Sequence, residues 1–332
     1  MPSSILRDRV TCYADVLWDC DYADPLRGAW KLSYWKQLLE RERPDVVVGD
    51  FAHNALCVAR RLGIPTVRIG TGYTCPPADI AERRFAGALP CTSQELHRRN
   101  AECLAHVDYA LRAIGLPSVD SWAEFFHADA TAITVCPELD HFPRAAPDEY
   151  VGLIHSQGGD PPEWPEAGDV SVYVYLRPFD GYERLLRYVR DVRFHAIVDG
   201  RDVPSDLQTE LSGPTLRFAN RRLEMSRIAH DARFAITNAG MGVVGHFLSR
   251  GKPLALLPRY QEQGILGERL AAAELCTLGY LEEFESQLSA IRAAALDPRY
   301  SIHAREFQKR HAEATSDHSI QRILSAIARI SN

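Results

Sequence analysis

The sequence predicts an α/β protein of two parallel-sheet domains, and three observations predict it. Strand and helix patterns alternate from Pro44 to Gly70, the alternation restarts after residues 155–169, and a glycine-rich turn opens a helix at residues 240–245. Residues 155–169 concentrate proline, glycine and acid, the composition of a linker. We place the domains at 1–158 and 159–332 on that basis.

Residues 1–43 read as helical, with Trp18, Trp30, Tyr34 and Trp35 among charges. Pro44 opens an apolar strand from Asp45 to Asp50, a helix follows over Ala52–Leu62, and Gly63 and Pro65 stop it before a second strand at Thr66–Gly70. That β-α-β order makes the two strands parallel neighbours. A helix over Ser93–Gly115 leads to a strand at Thr131–Cys136, closed by Pro137. Beyond the linker, strands at Ser171–Leu176, Arg193–Val198, Thr215–Phe218, Arg233–Thr237 and Leu254–Leu257 alternate with helices near 181–191, 222–230 and 241–250. The chain then reads as helices over 265–277, 284–295 and 302–330.

The 332 residues are 46% hydrophobic and 25% charged, which is globular composition. With 38 basic against 44 acidic residues the net charge is -6, so no global basic field exists to hold a nucleic acid. The 8 cysteines form no C-x-x-C pair and no Cys/His group at zinc spacing, and several sit in apolar runs, as Cys57 and Cys136 do. No metal site and a reducing, cytoplasmic setting are expected. No run approaches the ~20 apolar residues of a membrane span.

Gly240-Met241-Gly242-Val243-Val244-Gly245 is a literal G-x-G-x-x-G between a strand and a helix. A dinucleotide-binding turn normally follows the first strand of its domain and has a ribose-binding acid about 20 residues on. Here several strands come first, and the next strand ends in Pro258-Arg259, so an NAD(P)-dependent oxidoreductase is the weaker reading. The same turn physics serves any diphosphate, because backbone N–H groups and the helix dipole at a helix N-terminus favour an anion.

The whole block selects among diphosphates. Thr237 to His246, then Ser249 to Pro253, then Leu257 to Gln263 resembles the donor-binding signature of GT-B glycosyltransferases of the UDP-glycosyltransferase type. Pro44 to Asp50, Ala59 to Pro65, Gly70 to Pro77, Pro137 to Asp140 and Tyr173 to Pro178 have counterparts in a bacterial branch of that family, so the resemblance covers residues 10 to 280. It implies a GT-B fold, two facing Rossmann-like domains with the donor cleft between them, the N-terminal domain incomplete. The last helix, 302–330, would pack back toward the first domain. The implied activity is transfer of a hexose from a UDP- or dTDP-linked donor to an acceptor hydroxyl, inverting and metal-independent, with no cofactor beyond the nucleotide-diphosphate sugar.

By the same resemblance, Asn238, Ala239, Gly240, Met241, Gly242 and Val243 grip the diphosphate, His246 stands where a glutamate often meets the ribose, and Glu262 and Gln263 bind hydroxyls of the sugar. Glu262 lies 24 residues after Asn238, the family's separation between turn histidine and acidic doublet. The chain departs from the pattern in having Asn238 for that histidine and Val243 for a hydroxyl residue. The family's opening strand and glycine-histidine loop, whose histidine deprotonates the acceptor, have no counterpart. Asp50 matches the acid that orients that histidine, and His53, three residues on, is either a substitute base or a residue that merely helps begin the helix. Missing early strands would leave Val46, Val47 and Val48 on an open sheet edge that favours self-association. A non-catalytic or partner-dependent sugar-nucleotide-binding relative is the alternative.

Overall fold

A computed structural model of the chain describes residues 10–85, 91–145 and 147–330. The chain divides into two compact units, residues 1–154 with 315–332, and residues 155–314. No helix among the described residues is long and apolar enough to cross a membrane.

The first unit opens with α1 (Tyr13–Leu17), a π turn at Trp18–Tyr22 and α2 (Pro25–Glu42). Asp24 caps α2 by accepting the Leu26 N–H at 2.9 Å, with Pro25 at the first helical position, where its missing N–H costs nothing. Then come β1 (Val47–Asp50), α3 (His53–Arg61), β2 (Thr66–Gly70), α4 (Ser93–Ala113), α5 (Trp122–Phe126) and β3 (Ala130–Ile133). The three strands form a parallel sheet in the order β1-β2-β3. The strand expected at Thr131–Cys136 starts one residue earlier and ends at Ile133, because the chain turns into a 3-10 segment at Pro137–Leu139. Among the described residues β1 lies at one edge of this sheet, and Val48 is 40% exposed.

The loop after β2 is fixed by a buried charge. Asp140 is fully buried and accepts from Arg144 Nε at 2.6 Å, from the Tyr150 hydroxyl at 2.6 Å and from the Phe142 N–H at 2.9 Å. Arg144 also donates to the Cys75 carbonyl at 2.9 Å, tying residues 71–77 to the segment after β3. Such a pair is stable only when every lone pair is used. Burial and the Asp140 carboxylate together push the Tyr150 phenol up.

The second unit contains β4 (Ser171–Tyr175), α6 (Tyr182–Asp191), β5 (His195–Asp199), α7 (Ser205–Leu211), β6 (Leu216–Ala219), α8 (Met225–Asp231), β7 (Phe234–Thr237), α9 (Met241–Leu248), β8 (Leu254–Leu256), α10 (Gln261–Ala272), β9 (Thr277–Leu278), α11 (Phe284–Leu296) and α12 (Pro298–Arg310). Its six strands are all parallel, in the order β6-β5-β4-β7-β8-β9. Side chains alternate faces along a strand. Val172 and Val174 therefore join Leu185, Leu186 and Val189 of α6, Leu211 of α7 and Ile291 of α11 in one core, while Tyr173 and Tyr175 turn to the opposite face and stack on each other at 6.1 Å. Tyr173 also stacks on Phe247 of α9 at 6.4 Å.

Three differences from the sequence reading have local causes. α7 was not expected, since seven residues after Pro204 carry too little periodicity to register. β9 falls at the end of the helix expected over 265–277; α10 stops at Ala272, and Thr277 leaves it to pair with Ala255. The helix expected over 302–330 is two: α12 ends at Arg310, and α13 (Ser316–Ile330) packs on β2 and β3 within the first unit. Arg322 of α13 donates to the Tyr150 carbonyl at 2.6 Å, and Ser319 to the Leu153 carbonyl at 3.2 Å.

A Cβ at Gly72 would stand 1.5 Å from Asp140 Oδ1, whereas one at Gly213 meets open space. Gly72→Ala should lower stability by about 3 kcal/mol, by overpacking and by displacing a buried charge, and Gly213→Ala should not. Chemical denaturation checks both, and equal stability of the two variants would contradict the buried-charge account.

Candidate functional site

The strand order of the second unit reverses between β4 and β7. In open parallel sheets ligands bind outside the carboxyl ends of the strands at such a point. A cavity of about 320 Å³ is lined there by Tyr173 and Tyr175 of β4, Asp199 and Arg201 at the end of β5, and Arg222, Leu223 and Met225 after β6. Gly240 to Val243 at the start of α9, and Ser156, complete it.

The turn into α9 works differently from the usual glycine turn. Its left-handed residue is Ala239, with φ 65, not a glycine. Gly240, the N-cap, has an ordinary φ of -66. A Cβ added at Gly240 or Gly242 would meet nothing within 4 Å. The two glycines thus relieve no strain and fill no tight packing; they leave an open cradle over the helix start. Val243 and Val244 both donate to the Gly240 carbonyl at 3.1 Å. The N–H groups of Gly240, Met241 and Gly242 have no acceptor among the described residues, which is the array an anion takes at a helix N-terminus.

Asn238 is 5% exposed, and its side chain is committed to the backbone. Its Oδ1 accepts the Arg177 N–H at 2.7 Å and its Nδ2 donates to the Leu257 carbonyl at 2.7 Å. Arg177 follows β4 and Leu257 follows β8, so one amide joins the ends of three neighbouring strands. Asn238 is not one of the cavity-lining residues.

His246 is 5% exposed on α9, with Nε2 3.3 Å from Ser156 Oγ and its ring 4.5 Å from that of His155. It is not one of the cavity-lining residues, though Ser156, which it touches, is. Glu262 and Gln263 sit in the first turn of α10, outside the cavity lining. Gln263 Oε1 accepts the Arg259 N–H at 2.9 Å and closes the bend after β8.

In the first unit, Asp50 is exposed at the end of β1, and its carboxylate lies over Gly70, where a Cβ would come within 2.5 Å of Oδ1. His53 is 7% exposed. The Tyr13 hydroxyl donates to the Tyr73 carbonyl at 2.7 Å, so its oxygen receives the Nε2–H of His53 at 3.0 Å. The imidazole packs edge-on to Phe126 at 4.8 Å and Phe51 at 5.2 Å. The described residues show no hydrogen bond between Asp50 and His53, so the two do not form an oriented acid–base pair.

The residue pattern at the turn pointed to Gly240–Val243, but not to the rest of the cavity wall. Tyr173 and Tyr175 had a signal, a tyrosine at alternate positions of an otherwise valine strand. Asp199 had none, since an acid ending a strand is common. It is 8% exposed and held by Arg201, with Nη2 to Oδ2 at 2.6 Å and Nε to Oδ1 at 3.0 Å. That pairing pushes the Arg201 guanidinium up. Arg222 donates to the Gln157 carbonyl at 2.9 Å.

No protein-family model matches the chain, and no curated protein matches it significantly. Solved structures do. The glycotransferase of kitacinnamycin aligns with a TM-score of 0.68 at 19% identity, over 92% of this chain and 81% of that one. CalG4, the calicheamicin glycosyltransferase, gives 0.66 at 16% identity over 93% and 82%. The glycosyltransferase VinC in complex with dTDP gives 0.64 at 12% identity over 96% and 78%. The fold is therefore the GT-B type of those enzymes, α/β with parallel sheets.

The buried histidines set a pH dependence. Burial, with Arg68 nearby, pulls His53 from 6.5 down to about 3; burial, then His155 and Arg250, pulls His246 down to about 4. Both imidazoles stay neutral in the folded chain while the unfolded chain protonates near 6.5, so acid favours unfolding. Stability is full above 6.5 and is lost as pH falls through the window toward 4 and 3. Each histidine removes about 1.4 kcal/mol per pH unit there. Thermal unfolding across that window should show a shallower slope for His53→Gln than for the natural chain; an unchanged slope would contradict a neutral buried His53.

Proposed function

We propose that the chain is a nucleotide-diphosphate-sugar glycosyltransferase that moves a hexose from a UDP- or dTDP-linked donor to an acceptor hydroxyl. The observation that carries this reading is the open cradle at α9, where three unpaired N–H groups face a cavity at the reversal point of the sheet. Its fold-mates are glycosyltransferases, three of the matching structures holding thymidine diphosphate, which supports a nucleotide rather than a dinucleotide in that cavity. The lack of an acid after the next strand also weighs against NAD(P).

In this reading the diphosphate lies on the N–H groups of Gly240, Met241 and Gly242, and Arg222 adds positive charge at the cavity wall. As the acceptor hydroxyl gives its proton to a base and its oxygen attacks the anomeric carbon from the opposite side, the bond to the diphosphate breaks with inversion. The negative charge then growing on the leaving oxygen is met by donors already aimed at it, so no metal is needed. Glu262 and Gln263 would hold sugar hydroxyls beyond the diphosphate. On the acceptor side, Asp50 is the group free to reach a ligand, since it is exposed while His53 is buried and bonded to Tyr13.

Calorimetric titration tests the donor site. The natural chain should bind dTDP or UDP and not NADH. Gly242→Val, which fills the cradle, should abolish that binding without lowering Tm, because its Cβ meets no protein atom. Glu262→Ala should weaken the sugar nucleotide about tenfold while leaving the free nucleotide within about twofold, as expected for one lost charged hydrogen bond. Equal losses for both ligands would remove Glu262 from sugar binding, and undiminished binding by Gly242→Val would remove the diphosphate from α9.

The edge strand supports a second part of the reading. Among the described residues β1 pairs on one side only, and Val48 is 40% exposed on it. We propose that the chain associates with a second copy through this edge. Size-exclusion with light scattering should show self-association that Val48→Lys reduces; a monomer at all concentrations would contradict it.

A further inference from the structure

The helix α2 carries apolar side chains on two faces. Gly28, Ala29, Leu32 and Leu39 are buried, and Gly28 seats the helix closely, since a Cβ there would stand 2.8 Å from the Tyr22 ring and 3.5 Å from Ala110 of α4. Leu26, Trp30 and Tyr34, spaced four residues apart, turn the other way and are 64%, 69% and 57% exposed. Residues four apart are neighbours on a helix surface, so the three form one ridge about 12 Å long. The charges of α2 leave this ridge alone: Leu26, Trp30, Ser33, Tyr34 and Gln37 are all uncharged. Lys31 is paired with Asp21, and Lys36 donates to the Ile114 carbonyl at 2.9 Å. Gln37 Nε2 donates to Ser33 Oγ at 3.1 Å, which closes the ridge with a neutral polar pair.

Single apolar side chains on a surface are ordinary, whereas a contiguous row led by tryptophan and tyrosine marks an interface. At these exposures the three side chains offer about 400 Å², half of the roughly 800 Å² that each partner gives to a standard interface. They also supply the aromatic centre that carries most of the binding energy of such a contact, with the polar rim already in place. A row at steps of four residues is the ridge that interdigitates with an identical ridge when two helices cross at about 50°. Because the row is symmetrical about Trp30, a two-fold axis at that position sets Leu26 of each copy against the partner's Tyr34 and brings the two Trp30 rings together, the self-complementary match that a two-fold dimer requires. At that angle two helices diverge after about two turns, and the ridge ends at Tyr34. We propose that two copies of this chain pair helix to helix through the Leu26, Trp30 and Tyr34 ridge of α2. This surface shares no residue with the β1 edge, so the two contacts form and fail independently.

Sedimentation equilibrium of the Val48→Lys chain isolates this contact from the β1 edge. That chain should still dimerise. Trp30→Glu or Tyr34→Arg added to it should each weaken the dimer about a hundredfold or more at unchanged Tm, because an aromatic anchor is lost from both copies at once. Trp30→Phe should retain the dimer, and Leu296→Glu, at a residue 76% exposed in the second unit, should leave it unchanged. Tryptophan emission should move to the red as the dimer is diluted, and Trp30→Phe should abolish that shift. A Val48→Lys chain that is monomeric at all concentrations would overturn the proposal, and so would a dimer that Trp30→Glu and Tyr34→Arg leave intact. Equal weakening by Leu296→Glu would show unspecific apolar association and would overturn it as well. Monomers that co-sediment with phosphatidylcholine–phosphatidylglycerol vesicles, and lose this with Trp30→Glu, would replace the second copy by a membrane surface and overturn it. Failure of the β1 contact is read separately, as a mass of the natural chain that Val48→Lys does not change.

Discussion

The second unit of this protein depends on one side-chain amide. The carboxyl ends of β4, β7 and β8 converge at the reversal of the sheet, where the Leu257 N–H extends the ladder to the Thr237 carbonyl at 2.8 Å. Asn238 uses its oxygen for the chain leaving β4 and its nitrogen for the chain leaving β8, at 2.7 Å each. Buried amides of this kind are stable only when both ends are satisfied, and then they fix geometry better than apolar packing does. With Asn238 so held, the backbone passes at once into the left-handed Ala239 and then into α9, and the direction of the free N–H groups follows.

That constraint explains why the glycines can be spared from conformational work. Ala239 carries the positive φ, which costs an alanine roughly 1 kcal/mol, and the surrounding hydrogen bonds enforce it. Gly240 and Gly242 then leave open space over the start of α9. The opposite case stands in the first unit, where Gly72 has no side chain because the Asp140 carboxylate occupies the space. One kind of residue thus marks an open helix start in one place and a buried ion pair in another, and the sequence alone does not distinguish them.

The fold class and the position of the α9 turn were legible because they rest on periodicity: apolar strands bounded by proline and glycine, alternating with helices. What escaped was set by tertiary contact. The two-residue β9 exists only because β8 offers it an edge, and the break between α12 and α13 at residues 311–315 has no proline or glycine to announce it. At the site, Gly240, Met241 and Gly242 stand where the motif put them, on the cavity wall. Asn238 and His246, which the resemblance places at the ligand, are not among the lining residues; one is tied to backbone and one to Ser156. Spacing indicates that a polar residue belongs near a site; whether it faces the ligand or supports the residue that does depends on neighbours far away in sequence, Arg177 and Leu257 for one, Ser156 for the other.

The central claim is that a nucleoside diphosphate is held by the backbone at the start of α9. Amide NMR of the chain titrated with dTDP tests it most directly. The account predicts that the N–H resonances of Gly240, Met241 and Gly242 shift in concert and saturate together, while those of Val243 and Val244, already bonded to the Gly240 carbonyl, move least. Saturable shifts confined to other residues, with the three turn amides unmoved, would contradict it.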